Sequence, residues 1–446
     1  MKIAVIGAGP GGVAAAVSAA KKGYEVTVIE KNGLGGTCLQ RGCIPTKALI
    51  AVSKIFEKQK KKEDFGSSKL DLSLDLNLVV DRNKKIIGAQ VKGIELTFKN
   101  MNINLIKGEA VLDKDGLSVI KEGGSKEKVI ADKIILAAGS KAAKPSFFDF
   151  NNDNIITSDE ALNLNKVPES LLIIGGGAIG LEFASVFNSF ASKVTVIEMM
   201  EQLLPGMDTE LASSLARELK KKDIKIMTGT KVESLEYKEG KIEVKASSGE
   251  FNVDKVLVAV GRIPDTSFIS KDAGIKKEGK GFIITDKNFK TSSDNVYAIG
   301  DLIGNPMLAH KASFEGHEVI KSISGENCFI DYNAVPGCVY TIPEAASVGL
   351  SEENAKKSGI DYEVKKFFTR ALGIAWAAGE IEGFTKILIN KGNNEIIGMH
   401  ILGATATELI SLGAVAVRNK LKASDISESV FPHPTFSEGI YEALIN

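Results

Sequence analysis

Cys38 and Cys43 stand five positions apart in the stretch Gly35-Gly-Thr-Cys-Leu-Gln-Arg-Gly-Cys-Ile-Pro-Thr-Lys47, in a chain of 446 residues with four cysteines. A disulfide there closes a very short loop, worth only ~2 kcal/mol by chain entropy against ~4.7 kcal/mol for a hundred-residue loop. A chain of this length has core enough without such a staple. A bond between these two cysteines is better suited to being broken and remade than to holding the fold. The alternative is a pair of buried thiols, since free cysteine is among the most buried residue types.

A reacting thiol must be ionised. With a free pKa near ~8.5, only a few per cent is thiolate at neutral pH, so a helix amino terminus or a nearby imidazolium helps. The chain has four histidines, at 310, 317, 400 and 433. His433 lies between two prolines in Phe-Pro-His433-Pro-Thr-Phe-Ser-Glu438, which restrains its backbone. It is either an acid–base group or a plain loop residue. Glu438 has a structural role open to it as well, because Thr435-x-x-Glu438 has the form of a capping box for a final helix.

The elements that must position these groups read as an α/β chain. Residues 2–6 form a buried strand, followed by Gly7-Ala-Gly9-Pro-Gly-Gly12, an alanine-rich helix to about Lys22, and a strand from Tyr24 that ends at Glu30. Strand, G-x-G-x-x-G, helix, strand and acid make up the complete dinucleotide fingerprint. Its glycines allow a tight turn, a close approach to pyrophosphate and close helix packing, and the acid accepts from a ribose. The pattern returns at Gly175-Gly-Gly177-Ala-Ile-Gly180, with Glu198 closing its second strand, displaced by 168 positions at every point. Glu198 would repel a 2′-phosphate, and Met199-Met200-Glu201-Gln202 offers no arginine to pair with one, so NAD is favoured over NADP.

A helix is expected from about Thr46 into the charge run 57–64, which reads as a solvated face. Strand-like segments and turns fill 100–136. Asp208–Lys222 is an amphipathic helix with Leu211, Leu215 and Leu219 on one face. Val296-Tyr-Ala-Ile-Gly300-Asp301 reads as a buried strand ending in a carboxylate, where ligands of open α/β sheets sit. A hairpin (384–390 and 395–402) and a helix (403–420) then suggest a final α+β domain without a fingerprint.

The totals narrow the class. Hydrophobic content is 44%, charged content 25% and formal net charge zero, ordinary for a globular protein and without support for a nucleic-acid or anionic-membrane partner. The amino terminus runs straight into a glycine loop and is too short an apolar run for a signal peptide. No stretch approaches a membrane span, and the expected location is the cytoplasm, where a disulfide is usually catalytic or redox-sensing. Two nucleotide sites, an acid from a third strand, a close cysteine pair and a positioned histidine suggest hydride passing from a nicotinamide to a flavin, then electrons passing to a disulfide.

The sequence resembles the pyridine nucleotide-disulfide oxidoreductases over nearly its whole length. The matching stretches are Gly35–Leu49, Ala137-Ala-Gly139-Ser140, Gly175–Glu182, Val260-Gly-Arg-Ile-Pro264, Tyr297–Asp301, Met307-Leu-Ala-His-Lys311, Tyr340-Thr-Ile-Pro-Glu344 and His433–Glu438. The resemblance implies two nested Rossmann-like dinucleotide-binding domains plus a C-terminal α+β dimerisation domain. The expected divisions are 1–143 and 265–332 for FAD, 144–264 for NAD and 333–446 for the interface.

The resemblance also implies roles. Cys38 would exchange with substrate, and Cys43 would lie against the flavin as a charge-transfer thiolate. Gly7, Gly9, Gly12, Glu30, Thr37, Lys47, Ala110, Gly139 and Asp301 would serve FAD, with the backbone of Met307, Ala309 and His310 near the ring. Lys47 would pair with Glu182. Gly175, Gly177, Gly180, Glu182, Glu198, Val232 and Gly261 would serve NAD. His433, oriented by Glu438, would reach the disulfide of the other subunit, which makes the active unit a homodimer.

Among family members the motifs are closest to those that oxidise protein-bound dihydrolipoamide with NAD, within a 2-oxoacid, acetoin or glycine-cleavage complex. The implied partner is a lipoyl-bearing carrier protein. The alternatives are an NADH-dependent reductase of another small disulfide, and a non-catalytic flavoprotein scaffold or redox sensor. Cys328 and Cys338 read as structural, and no metal site is expected. The eight residues after Glu438 are a shorter tail than the family pattern. Neither a leading lipoyl domain nor a second terminal cysteine pair is expected.

Overall fold

The computed structural model describes residues 1–67, 71–304 and 306–446. It divides into two compact units: Met1–Ala48 with Val80–Ala143 and Gly261–Ile330, and Leu49–Val79 with Lys144–Val260 and Asp331–Asn446.

The first unit is built on a five-stranded parallel sheet in the order Val296–Ala298, Lys133–Leu136, Lys2–Ile6, Glu25–Glu30, Asn104–Lys107. Its central strand is apolar without alternation because helices and loops cover both faces, and Ile3, Ala4 and Val5 are all buried. Helix Pro10–Lys21 follows that strand. A three-stranded antiparallel sheet, Glu109–Asp113, Gly116–Ile120 and Lys126–Val129, belongs to the same unit.

The second unit repeats the plan. Its parallel sheet runs Lys225–Met227, Lys193–Ile197, Ser170–Ile174, Lys255–Val258, Ile155–Ile156, again with the strand before the glycine motif at the centre. Helix Thr209–Lys221 has the expected apolar face, with Leu211, Leu215 and Leu219 fully buried, and Asp208 caps it by accepting from the Glu210 and Leu211 amides. The same unit ends in a five-stranded antiparallel sheet, ordered Gly337–Val339, Glu344–Gly349, Ile396–Gly403, Phe384–Asn390, Tyr362–Phe368. Helix Ala406–Asn419 packs on it through Gly413, where an added Cβ would meet Met399 Sδ at 2.9 Å.

Four local expectations are corrected. The helix after the cysteine stretch begins at Cys43, not Thr46, because Gly42 breaks the preceding turn and its carbonyl takes the Thr46 amide. The charge run is not wholly solvated: the helix stops at Lys60, and Glu57 is enclosed between Lys60 and Lys222. Asp301 does not end a strand. The strand stops at Ala298, and Asp301 sits in the 3-10 turn Gly300–Ile303. The final helix, Glu438–Ile445, has Ser437 rather than Thr435 as its N-cap, so only half of the capping box forms: Glu438 accepts from the Thr435 amide, but Thr435 Oγ1 turns to Pro432 O instead of a helix amide. Helix Leu76–Asn100 contains no motif. Its apolar face, Val91, Ile94 and Phe98, is interleaved with charged residues.

Candidate active site

Both glycine motifs fold the same way. The Gly7 amide donates to Ile29 O at 2.8 Å, and the Gly175 amide to Ile197 O at 2.8 Å. Gly7 has φ +100° and Gly175 φ +114°; an added Cβ would lie 2.5 Å from Ala137 O at the first and 2.4 Å from Ala259 O at the second. At Gly12 a Cβ would fall 1.9 Å from Gly7 O, and at Gly180 2.0 Å from Gly175 O. No other residue type satisfies these positions.

The acids match as well. Glu30 accepts from the Ala8 amide at 2.7 Å and the Asn32 amide at 2.7 Å. Glu198 accepts from the Gly176 amide at 2.6 Å and the Met200 amide at 2.8 Å. Each carboxylate is thus fixed at the mouth of its turn.

The turns fit dinucleotides. A Cβ at Gly177 would meet nothing within 4 Å, and one at Gly9 only Gly36 Cα at 3.9 Å. Each therefore leaves bare backbone at the amino terminus of a 12-residue helix, as a pyrophosphate requires. Gly139 and Gly261 are open in the same sense.

The cysteine stretch is hung from the first motif. The Gly35 amide donates to Ala8 O at 2.8 Å, and a Cβ at Gly36 would lie 2.7 Å from Gly9 Cα. Cys38 is on the short helix Gly36–Arg41 and Cys43 opens helix Cys43–Lys60. Between them a Cβ at Gly42 would meet Thr37 O at 2.8 Å and Cys38 Cα at 3.3 Å, so the absence of a side chain lets the thiols meet. The two thiols are in hydrogen-bond contact with each other. That hydrogen bond, burial and the neighbouring Cys43 charge push the Cys38 thiol far up, against the pull of Lys47.

Other expected FAD-side residues lie in the same unit. Thr37 Oγ1 approaches Ser140 O at 3.5 Å. Ser140 Oγ donates to Asp301 Oδ2. Arg262 donates to both Ser140 Oγ and Ser140 O at 2.7 Å. Ala110 is buried in strand Glu109–Asp113. Met307 is half-buried, and Ala309 and His310 open helix Ala309–Ile323.

In the second unit, Glu182 is buried on helix Ala178–Ser189 and accepts from the Tyr340 amide at 3.1 Å. Val232 is buried at the start of strand Val232–Lys238. His433 Nδ1 lies 2.8 Å from Glu438 Oε2, while Glu438 Oε1 accepts from the Thr435 amide at 2.6 Å. The His433 bond and the Thr435 amide hold the Glu438 carboxyl below its ordinary range. Cys328 Sγ contacts Asn288 Oδ1 at 3.5 Å and Lys287 O at 3.8 Å, and Cys338 Sγ contacts Thr407 O at 4.0 Å.

Residues 1–316 match the family model described as pyridine nucleotide-disulphide oxidoreductase, and residues 335–444 match that family's dimerisation domain. The chain belongs to this family. It is 37% identical over 444 residues to the dihydrolipoyl dehydrogenase of Geobacillus stearothermophilus, covering 98% of this chain and 94% of that one. Among solved structures it resembles LpdA from Mycobacterium tuberculosis, with a TM-score of 0.93 at 25% identity, covering 100% of this chain and 99% of that one. It also resembles the HOCl-induced flavoprotein disulfide reductase RclA from Escherichia coli, with a TM-score of 0.89 at 27% identity, covering 100% of this chain and 99% of that one.

Several supporting contacts of this family member escape a reading by spacing. Arg262 and Ser140 stand in family-like stretches, but nothing in their sequence positions joins them to Asp301. Glu344 is buried, accepting from Lys54 Nζ at 2.7 Å and from Thr407 Oγ1 at 2.7 Å. Among the described residues no helix is long and apolar enough to cross a membrane, and no cluster of His, Cys, Asp and Glu could hold a metal.

Proposed function

We propose that this chain is an NAD-dependent, FAD-containing dihydrolipoyl dehydrogenase that oxidises protein-bound dihydrolipoamide to lipoamide. The observation that carries the proposal is the Cys38–Cys43 thiol pair set directly on the first nucleotide-binding turn, through Gly35 and Ala8. Gly7, Gly9, Gly12, Glu30, Thr37, Lys47, Ala110, Gly139, Asp301 and the Met307–His310 backbone hold FAD. Gly175, Gly177, Gly180, Glu182, Glu198, Val232 and Gly261 hold NAD. When bound, FAD supplies the two-electron link between the nicotinamide and the cysteine pair.

The chain's own residues do the thiol chemistry. In the oxidised enzyme Cys38 and Cys43 are joined. A substrate thiolate attacks Cys38 sulfur and releases Cys43 as thiolate. The second substrate thiol then displaces Cys38 from the mixed disulfide, which leaves lipoamide and a reduced pair. His433 takes up the protons of the dithiol: one passes onward to solvent, and the other, with the electron pair, makes up the hydride equivalent that NAD+ would accept. Lys47 favours the negative charge left on the pair, a reading supported by the pull of its charge on the Cys38 thiol. Glu438 fixes the His433 ring through Nδ1 and leaves Nε2 to carry the proton.

The active form is a homodimer built on residues 333–446, with 1–143 and 265–332 as the FAD domain and 144–264 as the NAD domain. Its partner is the lipoyl carrier of a 2-oxoacid, acetoin or glycine-cleavage complex, in the cytoplasm. The test compares NADH-driven reduction of lipoamide, glutathione disulfide and coenzyme A disulfide. Turnover of lipoamide well above the other two is expected. Absence of lipoamide turnover overturns the proposal.

A further inference from the structure

Lys311 and Glu315 form an ion pair at 3.2 Å, with side chains 1% and 0% exposed. Burying two charges is costly unless their remaining hydrogen-bonding capacity is used. Here it is used on one short turn. Lys311 Nζ donates to Gly300 O at 3.2 Å and Gly304 O at 3.1 Å. Glu315 Oε2 accepts from the Gly300 amide at 2.7 Å. The pair therefore grips both ends of the turn Gly300–Ile303, which carries Asp301.

The helix that bears the pair is itself fixed to the first fingerprint. A Cβ at Gly316 would lie 2.5 Å from Gly11 O, and one at Gly11 would lie 3.0 Å from Ala312 O. Helices Ala309–Ile323 and Pro10–Lys21 thus touch backbone to backbone, and the pair ties the Asp301 turn to the glycine turn. From the other side, Ser140 donates to Asp301 Oδ2 and is itself held by Arg262.

The geometry points to Lys311 and Glu315 as positioning residues for FAD: they set the backbone of Gly300–Asp301 so that the Asp301 carboxylate is presented to the cofactor. This rests on the reading of the first fingerprint as an FAD site. Neither residue touches the reacting atoms. Their effect is on how tightly the flavin is held.

The test measures FAD release by ultrafiltration and by fluorescence of the freed flavin, in the full-length protein. Lys311→Met and the double variant Lys311→Met/Glu315→Leu are compared with wild type. FAD binding should weaken by about 10- to 100-fold, the size usual when the support of a liganding group is removed. NADH binding at Gly175–Gly180, followed by fluorescence quenching, should stay within twofold. The double variant removes both charges together, so it should keep the wild-type circular dichroism spectrum. Unchanged FAD affinity in a folded double variant overturns the proposal. So does failure of the double variant to fold, since the pair is then a folding requirement. A wild-type protein that binds no FAD overturns the underlying FAD reading instead.

Discussion

His433 Nδ1 and Glu438 Oε2 lie 2.8 Å apart, yet the histidine side chain is 77% exposed. The ring is oriented by its own chain and its far nitrogen is left open. That arrangement suits a group that acts on something brought to it. His433→Gln should lower lipoamide turnover by about 10²- to 10⁴-fold, the usual worth of a positioned acid–base group. Bleaching of the flavin absorbance by NADH should keep its wild-type rate in a stopped-flow experiment. Glu438→Gln keeps the shape but loses the charge, and a smaller loss of about 10- to 100-fold is expected from a charge-assisted hydrogen bond. Equal losses in turnover and in flavin bleaching would remove His433 from the thiol step.

The hydrogen bond with Cys43 is the largest cause raising the Cys38 thiol, and the Cys43 charge adds to it. Both disappear in Cys43→Ala, where the pull of Lys47 remains. The pH midpoint for alkylation of Cys38 by iodoacetamide, located by peptide mass spectrometry, should therefore fall below that of the reduced wild type. A midpoint that stays or rises would show that burial alone controls Cys38.

Glu198 is buried and already engaged with the Gly176 and Met200 amides, so its carboxylate has a fixed direction. Glu198→Ala should raise the KM for NADH by about 10- to 100-fold through loss of a charged hydrogen bond. The preference for NADH over NADPH should shrink, because repulsion of the 2′-phosphate goes with it. Initial rates with the two cofactors check this. An unchanged ratio would mean that other groups exclude the phosphate.

Lys386 is fully buried between Asp208, at 3.0 Å, and Glu352, at 2.6 Å. Burial works against its charge, but Glu352 and Asp208 outweigh burial and raise its pKa, so it stays charged throughout the neutral range. Lys386→Met leaves the buried Asp208 carboxylate without its cation and should cost about 3–5 kcal/mol in urea unfolding. A loss below 1 kcal/mol, on the order of a surface pair, would contradict the burial argument.

His400 is buried beside this cluster. Leu350 O, 3.1 Å from Nε2, can only accept, so Nε2 carries the proton and Nδ1 accepts from Ser347 Oγ at 2.7 Å. Burial lowers the His400 pKa against the pull of Asp208 and Glu353, with Lys386 lowering it further. Its folded value therefore lies below its unfolded value of 6.5. Below that pH the unfolded chain takes up a proton that the folded chain does not, and stability is lost as pH falls. The slope from this group approaches ~1.4 kcal/mol per pH unit. Urea unfolding between pH 7.5 and 5.5 should show a flatter slope in His400→Gln than in wild type.

Some of this was legible one residue at a time. Gly7, Gly12 and Glu30, with their repeats 168 positions later, are positions where backbone geometry admits one residue type or one charge, so the sequence records them directly. The C-x4-C spacing likewise marks a pair that local folding alone can join, because Gly42 keeps the turn clear. Helix Leu76–Asn100 was not legible, since its lysines blur the apolar face and no motif marks it. The cysteine helix begins at Cys43, ahead of the expected Thr46, because Pro45 is a first-turn residue whose missing amide costs no helical hydrogen bond.

Taken alone, the amino-acid order determined the two nucleotide folds, the reactive pair and the histidine–glutamate motif. These depend on steric demands and on contacts within a few residues. The tertiary structure decided which groups support them: Arg262 on Ser140, Ser140 on Asp301, Lys311 and Glu315 on the Gly300 turn, and Lys386 among its carboxylates. The partners in the Arg262–Ser140–Asp301 chain, and Lys386 and Asp208, lie more than a hundred positions apart. A charge buried at such a distance has no periodicity or spacing to announce its partner, and only the folded packing, with water excluded, makes the pairing necessary.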